Sequence, residues 1–420
     1  MSDGSIDLKA DARAKAYAMP LETIDVARSG LFQRDTLWPY FERLRKEDPV
    51  HYCAESLHGP YWSITKYNDI MAVDTNHRVF SSDASVGGIG LAGVPGDYGL
   101  SMFISMDPPK HDAQRKVVSP VVSPQNLHVM EPMIRERTAR VLDGLPIGEP
   151  FDWVDRVSIE LTTQMLATLF DFPFEERRNL TKWSDLFTGA GHLHGIETAE
   201  DRAAEMERFG DTFERLWAER VGAEPAGDLI SMLAHGEATR GMTRREYHGN
   251  VVLLIVGGND TTRNTMTGSV YALNQFPAQF VKLKANPDLL ASMVSETIRW
   301  QTPLAHMRRT ALEDIDFQGK HIRKGDKVVM WYVSGNRDEE VIENPNAFII
   351  DRPRARQHLS FGFGIHRCVG NRLAELQLSI LWQEILKRFA DIRVLEEPRR
   401  TYSTFVKGYE TMKVLIPARH

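Results

Sequence analysis

A mainly helical fold with a minor β region is what this sequence predicts, built as one domain over residues 1–420. Three observations carry that reading. A helical run opens at the capping box Thr243-Arg-Arg-Glu246 and should end near Pro277. Pro124 to about Arg220 reads as successive amphipathic helices broken at Gly144, Gly148, Pro173 and Gly189–Gly195. Strand-like alternation is confined to short stretches between turn residues.

In chain order, residues 1–30 read as a flexible arm leading to a short helix. Leu37–Lys46 is a helix with Leu37, Tyr40, Phe41 and Leu44 on one face. Val50–Tyr52 and Tyr61–Ile64 are short strands. The glycine-rich stretch 83–100 is a long loop of the kind that serves as a lid. Gly189-Ala-Gly-His-Leu-His-Gly195 is a second lid segment, with glycines as hinges. The run from Thr243 would be about 33 residues, ~50 Å at ~1.5 Å each, enough to cross the molecule. Leu312–Val333 is strand-like, with turns at Gln318-Gly319 and Lys324-Gly325, and Tyr402–Pro417 likewise, with a turn at Lys407-Gly408. Asn371–Phe389 is an amphipathic helix.

Composition narrows the function class. At 42% hydrophobic and 26% charged residues, with a net charge of −6, the chain is an ordinary globular protein with no nucleic-acid signature. Two distant cysteines, Cys53 and Cys368, exclude a disulfide framework and fit a reducing, cytoplasmic setting. Met1–Ala16 lacks the apolar core of a signal peptide, and Val251–Val256 is too short to span a bilayer, so no integral membrane anchor is expected.

The most informative stretch is Phe361–Gly370, Phe-Gly-Phe-Gly-Ile-His-Arg-Cys-Val-Gly. A metal-bound cysteine is a thiolate, and its charge needs nearby donors, which the N–H groups at the following helix start supply. The glycines let a flat ligand approach the backbone. A lone cysteine is more often a small buried hydrophobe, and a His and Cys two apart could be half of a zinc site. With 2 cysteines and no second ligand pair a thiolate-rich zinc cluster is excluded, and without Cys-x-x-Cys-His so is covalently attached haem. Phe361, Gly364, His366, Cys368 and Gly370 together fit Phe-x-x-Gly-x-His-x-Cys-x-Gly, and through it the chain resembles a bacterial cytochrome P-450, a haem-thiolate monooxygenase.

The resemblance extends along nearly the whole chain. In Gly257-Gly258-Asn259-Asp260-Thr261-Thr262, two glycines inside a helix each cost about 1 kcal/mol relative to alanine and need a reason, such as close approach to a planar ligand. Asp260 and Thr261 match the family's acid-then-threonine oxygen-activation pair, expected beside a locally opened helix. A surface Asp and Thr without a role is the bland alternative. Glu296-Thr-Ile-Arg299 and the downstream Arg352 match the family's structural Glu–Arg–Arg set. His111, Arg115, Arg309 and His358 fall where the family contacts the haem propionates, with Arg308 expected to point away from Arg309 by alternation. For each of these taken singly, a solvated surface role is as good a reading. His366 and Arg367 fall near the haem edge or the electron-donor face.

The resemblance implies haem b, held without covalent bonds, and the P-450 fold with haem between the long helix and the Cys368 loop. It implies insertion of one atom of O2 into an unactivated C–H bond. No flavin or nicotinamide fingerprint is present, so electrons are expected from a [2Fe–2S] ferredoxin and its flavin-dependent reductase, docking near Arg367, Arg372 and Lys116. The wording of 106–111, 257–264 and 330–338 is similar to the alkane and fatty-acid terminal hydroxylases. Leu254, Val256, Leu304, Met307 and Phe405, with Leu91, Val94 and Phe187 from the lids, are the expected pocket, which suits a linear chain and equally a terpene or other cyclic substrate. A peroxide-driven enzyme and a non-catalytic haem sensor are the remaining alternatives.

Overall fold

The computed structural model describes residues 8–91 and 100–420. Val94 lies outside the described residues. Helices dominate, and the longest is Arg244–Gln275, 32 residues or ~48 Å. Its start is the expected capping box: Thr243 Oγ1 accepts from Glu246 N, and Thr243 N donates to Glu246 Oε2. Its end is enforced by Pro277, which begins the next helix, Pro277–Ala285.

This central helix threads two apolar cores. Val251, Val252 and Ile255 pack with Leu166, Phe170, Phe209 and Phe213. Met266, Val270 and Leu273 pack with Leu381, Trp382 and Ile385 of the helix Asn371–Arg388. Between the two lies the polar stretch Asn259–Thr265.

The largest sheet has the strand order Val50–Cys53, Tyr61–Ile64, Lys327–Met330, Met307–Ala311, Phe80–Ser81. The second and third strands are parallel, with Trp62 opposite Val328, and the other neighbours are antiparallel. The sheet carries Met307 and Arg309 to the interior.

Four expectations need correction. Leu8–Ala18 is a helix, docked on Trp38–Glu47 through Arg13–Glu42 at 2.7 Å, so from residue 8 onward the expected flexible arm is ordered. Tyr332–Gly335 is a helical turn rather than the end of a strand, and residues 401–408 form an irregular loop before Tyr409–Thr411. The central helix is continuous from 244 to 275, with no opening at 257–262.

Glu296 fastens the helix Leu290–Gln301 to the segment before the Cys368 loop. Its carboxylate, 0% exposed, accepts from Arg299 Nε and Nη2 at 2.7 and 2.8 Å and from Arg352 Nε at 3.1 Å. Ile349 N adds a bond at 2.8 Å, and Arg299 Nη1 reaches the carbonyls of Asn336 and Pro345. Removing this carboxylate leaves two buried guanidiniums without their counter-charge. Glu296→Ala should therefore lose about 3–5 kcal/mol of stability in urea unfolding; a loss below ~1 kcal/mol would show that the set holds nothing together.

Candidate active site

The helix Asn371–Arg388 and the central helix diverge around an interior cavity of about 830 Å³. Cys368 stands on its floor. Its backbone N–H donates to the Phe361 carbonyl at 2.8 Å, closing the loop on itself. Cys368 is exposed there and lines this void. Burial pushes the thiol up, while the Gly370 N–H and the charges of Arg115 and Arg367 work the other way. An anionic sulfur here therefore calls for a cation bonded to it.

Polar groups without partners gather around this floor. His111 Nε2, His358 Nδ1 and both ring nitrogens of His366 are buried and unbonded. The rings of His111 and His366 are 4.3 Å apart. Burial holds all three histidines below the ordinary imidazole range, and nearby arginines depress His358 and His366 further. Arg115 donates to the Arg367 carbonyl and lines the cavity. A neutral imidazole, His366, and a guanidinium, Arg115, facing a void above a cysteine, with the unbonded His111 and His358 nitrogens behind them, fit a flat cofactor with two carboxylates and an iron. Haem b is such a group.

Arg309 lines the cavity but is already engaged. Its Nη2 pairs with Asp74 Oδ1 at 2.8 Å and its Nη1 donates to the Arg308 carbonyl. Asp74 also accepts from Phe363 N at 2.8 Å and Tyr332 Oη at 3.1 Å. Arg308 turns the other way, to Val86 O and Thr310 Oγ1, as strand alternation requires. Asp74 carries no motif, and sequence reasoning missed it.

Packing constrains two of the glycines, and one of them, Gly258, also lines the cavity. A Cβ on Gly258 would sit 2.7 Å from Leu166 Cδ2, and one on Gly364, whose φ is +65°, would sit 2.5 Å from the Asp74 carbonyl. Gly257 and Gly370 instead have open space where a Cβ would go, and both line the cavity. Phe361 and His366 line it as well, whereas His111, His358 and Gly364 stand behind it.

On the opposite wall, Thr261 Oγ1 donates to the Gly257 carbonyl at 2.9 Å, leaving its lone pairs toward the void. Asp260 turns away from it. Its Oδ1 accepts from Arg263 Nη2 at 2.9 Å and Asn259 Nδ2 at 3.0 Å, and its Oδ2 is buried and unbonded. Arg263 Nη2 also reaches Asp185 Oδ1 at 2.8 Å, and Asp185 Oδ2 meets His194 Nε2 at 2.7 Å. Burial raises the Asp260 carboxyl, outweighing Arg263, and the charge of Asp185 adds to the rise. Asp185 is buried too, but Arg263 and His194 together hold it below the carboxylate range. Two acids on one guanidinium are thus pushed apart, so Asp260 is the one able to carry a proton. Asp185, Arg263 and His194 were not legible as a set in the sequence.

Leu91, Phe187, Leu254, Val256, Leu304, Met307 and Phe405 all line the cavity, as expected from the sequence. No described helix is long and apolar enough to cross a membrane.

Comparison with known proteins agrees with this geometry. The cytochrome P-450 family model matches residues 223–414. The chain is 34% identical over 406 residues to a linalool 8-monooxygenase of Pseudomonas putida, covering 94% of this chain and 99% of the relative. It is 30% identical over 386 residues to a methyl-branched lipid omega-hydroxylase of Mycobacterium bovis, covering 89% and 90%. Its structure superposes on that of CYP153D17 from Sphingomonas sp. PAMC 26605 with a TM-score of 0.86 at 49% identity, covering 93% of this chain and 98% of that one. Relatives that match from end to end, at these identities, establish that the chain belongs to the cytochrome P-450 family of haem-thiolate monooxygenases.

Proposed function

We propose that the enzyme hydroxylates the terminal carbon of medium-chain n-alkanes or fatty acids. The observation that carries this reading is the wall of the cavity: Leu254, Val256, Leu304, Met307 and Phe405 offer an apolar surface reaching from the central helix to Cys368. The name of the omega-hydroxylase relative supports it. The linalool 8-monooxygenase relative supports the second reading, a terpene substrate.

Cys368 is the proposed iron ligand, with His111, Arg115, Arg309, His358 and His366 as partners of the haem carboxylates. Bound haem b would supply the oxygen chemistry, with the Cys368 thiolate as its iron ligand. The chain's own part is positioning and protons. Thr261 presents a hydroxyl whose proton is held by the Gly257 carbonyl and whose lone pairs can take another. Asp260 supplies a carboxyl kept protonatable by burial. His194, part-exposed on the turn between Gly189 and Gly195, joins solvent to this acid through Asp185 and Arg263. The family draws its electrons from redox partners. We assign a [2Fe–2S] ferredoxin and flavin-dependent reductase, with docking on the cysteine side, where Lys116, Arg367 and Arg372 are exposed.

Cys368→Ser should abolish the red-shifted Soret band of the reduced CO complex; an unchanged spectrum would refute the ligand assignment. Thr261→Ala should keep substrate binding but divert electrons to peroxide, and fully coupled product formation in that variant would count against the relay. Titrating octane, octanoic acid and limonene against the resting Soret band, with product analysis, tests the substrate. Terminal hydroxylation of the linear compounds is expected; a response to limonene alone would remove the linear-chain reading.

A further inference from the structure

We propose that Arg245 anchors the carboxylate of a fatty-acid substrate, and that the central helix measures the distance from that anchor to the carbon being oxidised. The proposal rests on the linear-chain reading above and narrows it to acids.

Arg245 lies in the first turn of the central helix and lines the cavity at the end far from Cys368. Its guanidinium has neither an ion pair nor a side-chain hydrogen bond among the described residues; only its backbone carbonyl is engaged, by Ser101 N at 3.4 Å. The acids beside it are committed elsewhere. Glu246 closes the capping box and pairs with Lys110, and Glu214 pairs with Arg244. The amino end of a helix is its positive pole, so an arginine there is unfavourable until an anion meets it. Arg244 has found its anion in Glu214, and Arg245 lines the cavity without one among the described residues.

Helical spacing then places the rest. Positions 245, 252, 253, 256, 257 and 261 follow a stripe that winds about 160° around the helix from first to last, and every one of them lines the cavity. Val252, Leu253 and Val256 provide no charge or side-chain donor along it. A carboxylate moved inward from Arg245 would lie against Val252, Leu253 and Val256 at a cost, and the cations of the inner end, Arg115 and Arg309, are assigned to the haem, so the charged end stays outward and the methyl end goes in. Gly257, with Thr261 the innermost of the stripe, is 12 positions from Arg245, a rise of ~18 Å. At about 1.3 Å per carbon of an extended chain, that spacing fits an acid of roughly 12 to 14 carbons.

The test uses the haem-loaded enzyme and reads the Soret shift on titration with dodecanoate, 1-dodecanol and dodecane, in wild type, Arg245→Gln and Arg245→Lys. An exposed ion pair predicts that the ratio of dodecanoate to 1-dodecanol affinity falls roughly two- to five-fold in R245Q. R245K should restore it, and added salt should lower it in wild type. Dodecane and 1-dodecanol shifting the band while the ratio stays fixed in R245Q would overturn the anchor and leave the linear-chain reading standing. No response of wild type to any of the three would remove both.

Discussion

The fold turns on one requirement: a polar stretch in the middle of a fully packed helix has to be buried on its protein side and left open on the other. The central helix is held at both halves by apolar cores, through Val251 and Ile255 at one end and Met266 and Val270 at the other. Neither half can shift without unpacking its core, so Gly257, Asp260 and Thr261 are fixed against the cavity. Gly258 shows how tight the arrangement is, because a single methyl group there would strike Leu166. Gly258 thus admits a neighbouring helix while lining the same void as Gly257.

Electrostatics divide labour in the same region. Arg263 is shared by two carboxylates, and a buried guanidinium with two acids leaves one negative charge to be placed. His194 bonds to Asp185 and not to Asp260, so the charge settles on Asp185 and Asp260 is the acid whose ionisation is resisted. The surroundings thus sort two acids on one guanidinium into one that stays ionised and one that can take a proton.

Local chemistry was legible from the residues, and contacts between distant segments were not. Thr243-Arg-Arg-Glu246 announced the start of the central helix because a cap is satisfied within four residues. The Glu296, Arg299 and Arg352 set was legible through its resemblance to a family motif, and in the structure both arginines bond the one carboxylate. Asp74, 235 positions from Arg309, has no such local signature, nor has Asp185, 78 positions from Arg263. The expected opening of the helix at 257–262 failed for a related reason: two glycines lower helix propensity, but packing on both sides overrides propensity. Likewise the N-terminal segment looked polar enough to be free, yet Arg13 and Tyr17 both reach Glu42.

Asp74 also changes how the cysteine side of the cavity is understood. One carboxylate bonds Arg309 from the sheet, Tyr332 from a helical turn and Phe363 N from the Cys368 loop. It therefore fixes the loop to the arginine that faces the cavity, so that the floor and this part of its positive rim move as one body. Glu296 does the equivalent on the other side, binding Arg299 and Arg352 and through them the carbonyls of Asn336, Pro345 and Ala347. Each clamp is a buried carboxylate gathering cationic or N–H donors from separate segments, an arrangement in which loss of one acid strands several partners. A cofactor held without covalent bonds needs a seat already in shape, because flexibility in the loop would be subtracted from its binding energy. Rigidity here is thus carried by two acids that need not touch the cofactor.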